Sequence, residues 1–305
     1  MTKALVIGAG SIGERHASLL TELGHEVASL TARTDLPRAV YHNLSSALHD
    51  FAPTYVVIAT ATGLHAQSFQ QLSALGYSGI VLVEKPFAIP EVVTASASFT
   101  RVGVGFNLRF HPVIIRLSEI LANQTVYTVE AYAGQELSTW RPGRSLESQY
   151  STSKQEGGGV LRDLSHELDY LGWLFGGCKG VFARGGRLST VTRDSDDAWG
   201  IVANYERAPI VTLQLNYLDS QKRRRVVINS SIGTVEVNLV ADTLKVNERT
   251  EHFEIDGNAS YRALHKAMLN DPDAPVTTVS EACATDKIIT MIEQSAASEK
   301  WIEWA

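Results

Sequence analysis

The residues KALVIGAGSIG at positions 3–13 place a G-x-G-x-x-G loop directly after a short apolar run. Apolar side chains then recur at helical spacing through Leu23, and Gly24 ends the pattern. In this context the first glycine permits a tight turn, the second lets the backbone approach a pyrophosphate, and the third lets the helix pack on the strand. The stretch therefore predicts a dinucleotide site, with a glycine turn that binds nothing as the alternative. Its contacts would come from Gly8, Gly10, Ser11, Ile12 and Gly13.

Further apolar runs continue this pattern as far as residue 111. They are continuous rather than alternating, as is typical of strands covered on both faces, and a helical stretch, His65–Leu75, separates two of them. The succession predicts an α/β protein whose residues 1–111 form a Rossmann domain with a doubly wound parallel sheet. The predicted strands are Lys3–Gly8, Glu26–Leu30, Tyr55–Thr60, Ile80–Val83 and Val102–Gly105.

The pattern changes at His111-Pro112. After a helix at Val113–Ala122 the strands are longer and alternate apolar with polar residues, which indicates an antiparallel sheet with one covered face. Residues 112–305 are therefore predicted to form a second, α+β domain, and its last helix, 280–298, can pack back on the first domain. The predicted strands are Thr125–Ala133, Gly180–Leu188, Gly200–Tyr205, Ile210–Tyr217, Arg224–Ser230 and Thr234–Leu239, with a further helix at Tyr261–Leu269.

Composition excludes several classes of protein. The chain has 305 residues, of which 44% are hydrophobic and 20% charged, as in an average globular protein. No apolar run reaches the roughly 18–20 residues that cross a bilayer, and none resembles a secretory signal, so we expect no membrane partner and a cytoplasmic location. The net charge of −6 argues against nucleic acid as a partner. Cys178 and Cys283 have no His or Cys at metal-ligand spacing, so no metal site is expected.

The end of the second predicted strand bears on the choice of cofactor. The sequence there is SLTART, residues 29–34, with no carboxylate before Asp35. An acidic residue at this place would bind the ribose 2′-hydroxyl of NAD, whereas Thr31 leaves room for a 2′-phosphate and Arg33 can bind it in a fork. The sequence thus predicts NADP(H) as the preferred cofactor over NAD(H). In the alternative, Arg33 is a solvated charge and Asp35 binds the ribose.

Two groups of residues could carry chemistry. Lys85 follows a predicted buried strand directly, at the sheet edge where ligands bind, and could hold a substrate oxygen. Asp163, His166 and Asp169 are spaced by three residues on a predicted helix, Val160–Phe175, so that they share a face. A histidine flanked by carboxylates suits acid–base work near neutral pH. The alternatives are a solvated lysine and a solvated polar helix face.

Five stretches together suggest a known family: GAGSIG at 8–13, VVIATATGLH at 56–65, VEKPFA at 83–88, VGFNLRF at 104–110 and GGGVLRDLSHELDYLGWLFG at 157–176. With them the chain as a whole resembles the glucose–fructose oxidoreductase, inositol dehydrogenase and rhizopine-catabolism (Gfo/Idh/MocA) family of NAD(P)-dependent oxidoreductases. The resemblance implies a Rossmann domain followed by an α+β domain with a large, open, mostly antiparallel sheet, which binds the substrate and through which the chains form dimers or tetramers.

Site roles follow from the same resemblance. It implies that Lys85 binds the reacting hydroxyl, that His166 is the acid or base, and that Asp163 binds substrate beside it. Further cofactor contacts are implied for Ala59, Thr60, Ala61, His65, Glu84, Lys85 and Asn107, and substrate contacts for Lys85, Arg109, Asp163 and His166.

The sequence departs from the family at one spacing. Many members have four residues between the aspartate and the histidine, whereas here only Leu164 and Ser165 separate Asp163 from His166. This form of the motif resembles a subgroup of surface-polysaccharide and amino-sugar enzymes. This leaves the roles of Asp163 and Asp169 open and favours a modified sugar or nucleotide sugar. In the loop before this helix, Arg141, Arg144, Tyr150 and Lys154 could bind a carboxylate or phosphate, or be solvated.

These observations predict a sugar-type oxidoreductase that forms a homodimer or homotetramer. Hydride would pass between the nicotinamide and a hydroxyl or carbonyl of a sugar, cyclitol or nucleotide sugar. One alternative is an enzyme that keeps its cofactor bound and cycles hydride within one turnover. Another is a dinucleotide-binding regulator without turnover. The basic run Lys222–Arg225 is interpreted as a hairpin at a surface or an oligomer interface.

Overall fold

The computed structural model describes residues 1–87, 98–140, 143 and 145–304. The chain divides into two compact units. The first contains Met1–Phe110 and Asp256–Ala284, and the second contains His111–Ile255 and Thr285–Ala305. The return of residues 256–284 to the first unit differs from the single predicted boundary at 111, because helical periodicity shows that a segment is amphipathic but not which sheet it covers.

The first unit is built on a six-stranded sheet in which every pairing is parallel. The strand order β3-β2-β1-β4-β5-β6 places β1 and β4 at the centre, and the chain turns from one side of the sheet to the other there. This confirms the predicted Rossmann-type sheet. The strands are β1 Lys3–Ile7, β2 Glu26–Leu30, β3 Ala39–Tyr41, β4 Tyr55–Ile58, β5 Ile80–Val83 and β6 Arg101–Val104.

The second unit is built on a nine-stranded mixed sheet of order β14-β13-β12-β11-β7-β10-β9-β8-β15. Only the β7–β10 pairing is parallel, so the prediction of a large, mostly antiparallel sheet is confirmed. The last three strands were not predicted; β14 is exposed at every residue and β15 has only two residues, so neither shows an apolar pattern. The strands are β7 Val126–Gly134, β8 Cys178–Gly186, β9 Ala198–Tyr205, β10 Ala208–Asn216, β11 Arg223–Ser230, β12 Gly233–Asn238, β13 Thr243–Val246, β14 Arg249–His252 and β15 Ile302–Glu303.

Both units also contain helices. None of them, within the described residues, is long and apolar enough to cross a membrane. They are α1 Ser11–Glu22, α2 Leu44–Ser46, α3 His65–Ala74, α4 Pro112–Leu121, α5 Val160–Asp163, α6 His166–Phe175, α7 Ala259–Asn270 and α8 Val279–Ser298.

Two hydrophobic clusters cover the two faces of the parallel sheet. Leu5 and Ile7 of β1 pack in one cluster with Phe69 of α3, and the first turn of α8 joins them. Ala4 and Val6, which point the opposite way, pack in the other cluster with Leu264 of α7. The continuous apolar strands of the sequence are therefore buried on both faces.

The helix predicted over Val160–Phe175 is interrupted. Asp163 is the last residue of α5 and His166 is the first residue of α6. Between them the Ser165 hydroxyl donates to the Arg162 carbonyl at 2.8 Å, a local bond that competes with helical pairing. The prediction that Asp163 and His166 share one helix face was wrong, whereas His166 and Asp169 do lie on the same helix.

Candidate active site

The glycine loop connects β1 to α1, and two of its three glycines, Gly8 and Gly13, are required by close packing. Gly8 has a φ of 102°, and a Cβ there would lie 2.5 Å from the Ala59 carbonyl oxygen. A Cβ on Gly13 would lie 2.1 Å from the Gly8 carbonyl oxygen, so this glycine permits the helix to approach the strand. Around Gly10 a Cβ would meet nothing within 4 Å. Gly10 thus leaves open space at the start of α1, where backbone N–H groups favour an anion.

The neighbouring strand end completes this part of the site. The Thr60 hydroxyl is buried and has no hydrogen-bond partner among the described residues. His65 is buried, with Nε2 3.1 Å from the Thr60 carbonyl oxygen and Nδ1 3.2 Å from that of Pro86. Burial lowers the pKa of this imidazole. His65 therefore joins the loops after β4 and β5, while the unsatisfied hydroxyl and the open Gly10 both fit a bound dinucleotide.

Arg33 lies beside the glycine loop and holds Asp35 in a fork. Its Nε and Nη2 donate to the two oxygens of Asp35 at 3.0 and 2.9 Å, and Nη1 donates to the Ala9 carbonyl at 3.2 Å. The fork raises the pKa of Arg33 and lowers that of Asp35. Arg33 and Asp35, the two residues that the sequence offers for recognising the cofactor ribose, are therefore paired with each other after the end of β2.

A buried chain of four polar side chains includes Glu84, which lies between the end of β5 and Lys85. His16 Nε2 is 2.9 Å from Glu84 Oε1, His16 Nδ1 is 2.9 Å from His265 Nε2, and His265 Nδ1 is 2.9 Å from the Tyr55 hydroxyl. We call these four residues the histidine chain. Burial, followed by the proximity of His16, lowers the pKa of His265 well below its usual value, so its ring is neutral at pH 7.

One arrangement satisfies every contact in the histidine chain with neutral rings. The Tyr55 hydroxyl donates to His265 Nδ1, His265 Nε2–H donates to His16 Nδ1, and His16 Nε2–H donates to Glu84. Glu84, which was predicted to bind the cofactor, therefore accepts a hydrogen bond from α1. His16 and His265 were not predicted, because they are 249 positions apart and no spacing rule connects them.

Lys85 is partly buried directly after this carboxylate, and the Lys85–Pro86 peptide is cis. Two other predicted residues have partners within the first unit. The Asn107 amide donates to the Ser260 hydroxyl at 2.7 Å, and Arg109 donates to Glu281 at 2.8 Å. Their assignments to cofactor and substrate stay predictions.

In the second unit a buried carboxylate is surrounded by hydroxyl groups. Tyr150 donates to Asp163 Oδ1 at 2.9 Å, and Ser151 and Tyr217 donate to Oδ2 at 2.6 and 2.7 Å. We call these three residues the hydroxyl cluster. Burial and the adjacent carboxylate raise the pKa of Tyr217 well above its usual value. Asp163 is thus held by three charge-assisted hydrogen bonds.

The glycines before α5 bring this cluster together. A Cβ on Gly158 would lie 2.1 Å from the Tyr150 carbonyl oxygen, and one on Gly159 would lie 2.1 Å from Asp196 Oδ1. Gly159 also has a φ of 121°, which other residues rarely adopt. The run of glycines therefore lets the loop that carries Tyr150 pack against the start of α5.

His166 begins α6 and lines a cavity of about 220 Å³. The next residue, Glu167, is fully buried and accepts two hydrogen bonds from Arg224 of β11, at 2.6 and 2.9 Å. The cavity therefore combines the partly buried imidazole of His166 with three basic side chains, Lys222, Arg223 and Arg224, of which Arg224 is paired with Glu167. Its other lining residues are Ala133, Gly134, Gln135, Trp140, Asp163 and Leu164.

Comparison with known proteins agrees with this architecture. A family model described as "Oxidoreductase family, NAD-binding Rossmann fold" matches residues 2–101, and one described as "GFO/IDH/MocA C-terminal domain" matches residues 116–236. The chain belongs to the Gfo/Idh/MocA family of NAD-binding oxidoreductases. A search of curated protein sequences finds no match.

Solved structures of this fold superpose over almost the entire chain. GenD2 from gentamicin A biosynthesis, in complex with NAD, has a TM-score of 0.80 at 22% identity and covers 100% of this chain and 96% of its own. WlbA from Bordetella pertussis, in complex with NADH and UDP-GlcNAcA, has a TM-score of 0.81 at 18% identity, with 100% and 98% covered. Levoglucosan dehydrogenase, in complex with NADH, has a TM-score of 0.82 at 17% identity, with 99% and 98% covered.

The predicted residues of this Gfo/Idh/MocA protein fall into two groups in the structure. The glycine loop, Thr60 and Lys85 belong to the first unit, and Tyr150, Asp163 and His166 to the second. Arg141 and Arg144 lie outside the described residues. The basic residues Lys222, Arg223 and Arg224 were not predicted to line a cavity with His166, since no sequence spacing connects them to that helix.

Proposed function

We propose that this oxidoreductase transfers hydride between a nicotinamide cofactor and a hydroxyl or carbonyl carbon of a sugar-type substrate. The observation that carries the proposal is the open, side-chain-free space at Gly10, between two glycines that tight packing requires. The relatives in complex with NAD or NADH, one of them also with UDP-GlcNAcA, support it. When bound, the cofactor supplies or accepts hydride at nicotinamide C4.

We assign the accompanying proton to His166 and the reacting oxygen to Lys85. Oxidation of an alcohol removes a hydride from carbon and a proton from oxygen, so a base must take that proton. His166 is partly buried in a polar cavity, and Asp169 lies one turn along the same helix. Asp163 accepts three hydroxyl donors, so we assign it to positioning the start of α6, and assign orientation of His166 to Asp169.

Activity tests this assignment directly. The protein is assayed for reduction of NAD and NADP with neutral and acidic sugars and with UDP-linked sugars, UDP-GlcNAcA included. Lys85→Met and His166→Asn should each lower kcat by at least a hundredfold, since an acid–base group contributes about 10²–10⁴-fold and a donor to the reacting oxygen about 10²–10³-fold. Cofactor affinity should stay nearly constant in both variants. Retained turnover in either variant would remove that residue from the mechanism.

For the cofactor we propose a preference for NADP(H), with Arg33 as the determinant. The Arg33 fork that now holds the Asp35 carboxylate is the geometry that binds a phosphate, and Nη1 anchors it to the glycine loop. Fluorescence titration with NADPH and NADH tests this. Arg33→Ala should abolish the preference, and Asp35→Asn should increase it because the competing carboxylate is gone. A preference for NADH that is the same in wild type and in Arg33→Ala would refute the proposal.

We also propose that the protein forms a homodimer through the open face of the nine-stranded sheet. Phe182, Val202 and Thr212 are cross-strand neighbours on β8, β9 and β10, and the first two are 41% and 43% exposed. Exposed apolar side chains in one row suit burial against a second copy. Light scattering of wild type and Val202→Glu tests this. A monomeric wild type would refute it.

A further inference from the structure

Lys85 lies between two residues that contact histidines. On its N-terminal side, the Glu84 carboxylate accepts a hydrogen bond from His16 of α1 at 2.9 Å. On its C-terminal side, the Pro86 carbonyl oxygen is 3.2 Å from Nδ1 of His65, the first residue of α3. The chain on either side of Lys85 is therefore tied to a different helix of the first unit.

The Glu84 residue is closely packed at the end of β5. It is 6% exposed, and a Cβ on Gly105, the residue after β6, would lie 2.5 Å from its Oε1. Its backbone N–H donates to the Ile58 carbonyl at the end of β4, at 2.9 Å. Because both the backbone and the carboxylate of Glu84 are fixed, this residue sets the direction in which the chain enters Lys85.

His265 determines which nitrogen of His16 carries the proton. A neutral imidazole has one N–H, which can be on either ring nitrogen. With both rings neutral, His265 Nε2–H donates to His16 Nδ1, so the proton of His16 is on Nε2, where it faces Glu84. The Tyr55 hydroxyl fixes the His265 ring in the same way, because it donates to Nδ1. Each bond of the histidine chain thus sets the next, and the last bond holds Glu84.

The outer part of the histidine chain is distant in sequence and fully buried. His265 belongs to α7, in the segment Asp256–Ala284 that returns to the first unit, and both His265 and Tyr55 have no exposed surface. Apolar side chains would fill this space without any polar group to satisfy, whereas a hydrogen-bonded chain fixes one orientation of its last member. That last member is the carboxylate adjacent to Lys85.

We infer that His265 and His16 are positioning residues for Lys85, acting through the Glu84 carboxylate. This inference rests on the proposed function, in which Lys85 binds the reacting oxygen, and adds two residues to it. With the histidine chain intact, the Lys85 ammonium group is held where it can donate to that oxygen. When a bond of the chain is lost, Glu84 is released and Lys85 moves with it, while the glycine loop keeps its own packing.

The experiment uses two substitutions that each keep one bond of His265 and remove the other. A glutamine amide lies where Nε2 lies, so His265→Gln keeps the donor to His16, whereas the asparagine amide of His265→Asn lies at Nδ1 and keeps only the contact with Tyr55. We expect His265→Asn to lower kcat about tenfold or more, since a displacement of about 1 Å can cost about 10²-fold, and His265→Gln to stay within about threefold of wild type. The affinity for NADPH and NADH should be nearly constant in both.

Chemical labelling of Lys85 gives a readout that needs no substrate. The full chain without cofactor is treated with a low concentration of acetic anhydride, and acetylation of Lys85 is measured by mass spectrometry against that of the exposed Lys179. A released segment opens more often, so the partly buried Lys85 should be acetylated at least about threefold faster in His265→Asn than in wild type. In His265→Gln the rate should be unchanged.

Arg101→Met is the matched control. The Arg101 guanidinium donates to three carbonyls at the end of α7, those of Ala267, Met268 and Asp271. Its loss should lower the Tm by loosening the helix that carries His265, without removing a bond of the histidine chain. Both kcat and the labelling of Lys85 should therefore stay at their wild-type values.

A second pair of variants covers the case in which His265→Asn does not fold. By the same geometry, His16→Asn loses the bond to Glu84 and His16→Gln keeps it. We expect faster labelling of Lys85 and a lower kcat in His16→Asn alone.

The outcomes separate the inference from the proposed function. Equal labelling of Lys85 in the Asn and Gln variants, or the same change in Arg101→Met, would overturn the inference and leave the oxidoreductase intact. A kcat in His265→Asn equal to that of wild type would also overturn it. Labelling that differs between the Asn and Gln variants, in a protein that oxidises or reduces no sugar, would support the positioning of Lys85 and refute the proposed function.

Discussion

Each unit contains a buried carboxylate near a proposed catalytic residue. An imidazole hydrogen-bonds to one of these carboxylates, and hydroxyl groups hydrogen-bond to the other. Glu84, beside Lys85, is held by the histidine chain. Asp163, close in sequence to His166, is held by the hydroxyl cluster. Imidazoles change charge near neutral pH, whereas hydroxyl groups do not. Because burial keeps the folded His265 ring neutral, protonation of the unfolded chain should make stability depend on pH through this residue, whereas the hydroxyl cluster should add no such dependence.

The largest effect is expected from removing the second carboxylate. Asp163→Ala leaves the buried Ser151 and Tyr217 hydroxyls without their acceptor, so the free energy of unfolding should fall by about 4 kcal/mol. Urea unfolding measures this. Glu156→Gln, at an exposed ion pair with Arg193, is the control and should stay within about 0.5 kcal/mol of wild type. A loss below about 1 kcal/mol for Asp163→Ala would show that the cluster does not depend on the carboxylate.

The histidine chain should show a somewhat smaller loss and strong coupling. His16→Ala leaves Glu84 buried without its donor, and should lower the free energy of unfolding by about 3 kcal/mol. Glu84→Gln should relieve part of that loss, since a neutral amide is less costly to bury than an unpaired carboxylate. A double-mutant cycle should give a coupling energy of about 1–3 kcal/mol. Additive losses would mean that the two side chains do not act as a pair.

Much of the fold followed from local pattern, and much of the site did not. The apolar runs and the glycine loop predicted the parallel sheet because backbone geometry and burial act over a few residues. The histidine chain joins α1, β4, the end of β5 and α7, so it exists only after the tertiary fold has formed. The basic run is an intermediate case, because its charge is evident from the sequence, but only the fold shows that Lys222, Arg223 and Arg224 line a cavity with His166.

The pH dependence of stability distinguishes the histidine chain from the hydroxyl cluster. The pKa of His265 is lowered in the folded protein, so below about pH 6.5 the unfolded chain binds a proton there that the native ring does not. Stability is therefore fully present above that pH and lost as pH falls, by about 1.4 kcal/mol for each pH unit per such histidine. His265→Gln should flatten the fall in unfolding free energy between pH 7.5 and 5.5. His25, His65 and His111, whose pKa values burial also lowers, account for a remaining slope. An unchanged slope in the variant would contradict the assignment.

The smallest effect separates the donors within the hydroxyl cluster. Tyr217→Phe removes a fully buried donor and should cost about 1.5 kcal/mol, whereas Tyr150, with 38% of its surface exposed, should cost about 0.5–1 kcal/mol when changed to Phe. If Tyr150 only positions Asp163, its loss should change kcat and KM in the same small proportion as Tyr217→Phe. If the Tyr150 hydroxyl also contacts substrate, Tyr150→Phe should raise KM selectively, by more than Tyr217→Phe does. The relative size of these two changes therefore decides whether the cluster is purely structural or extends into the binding site.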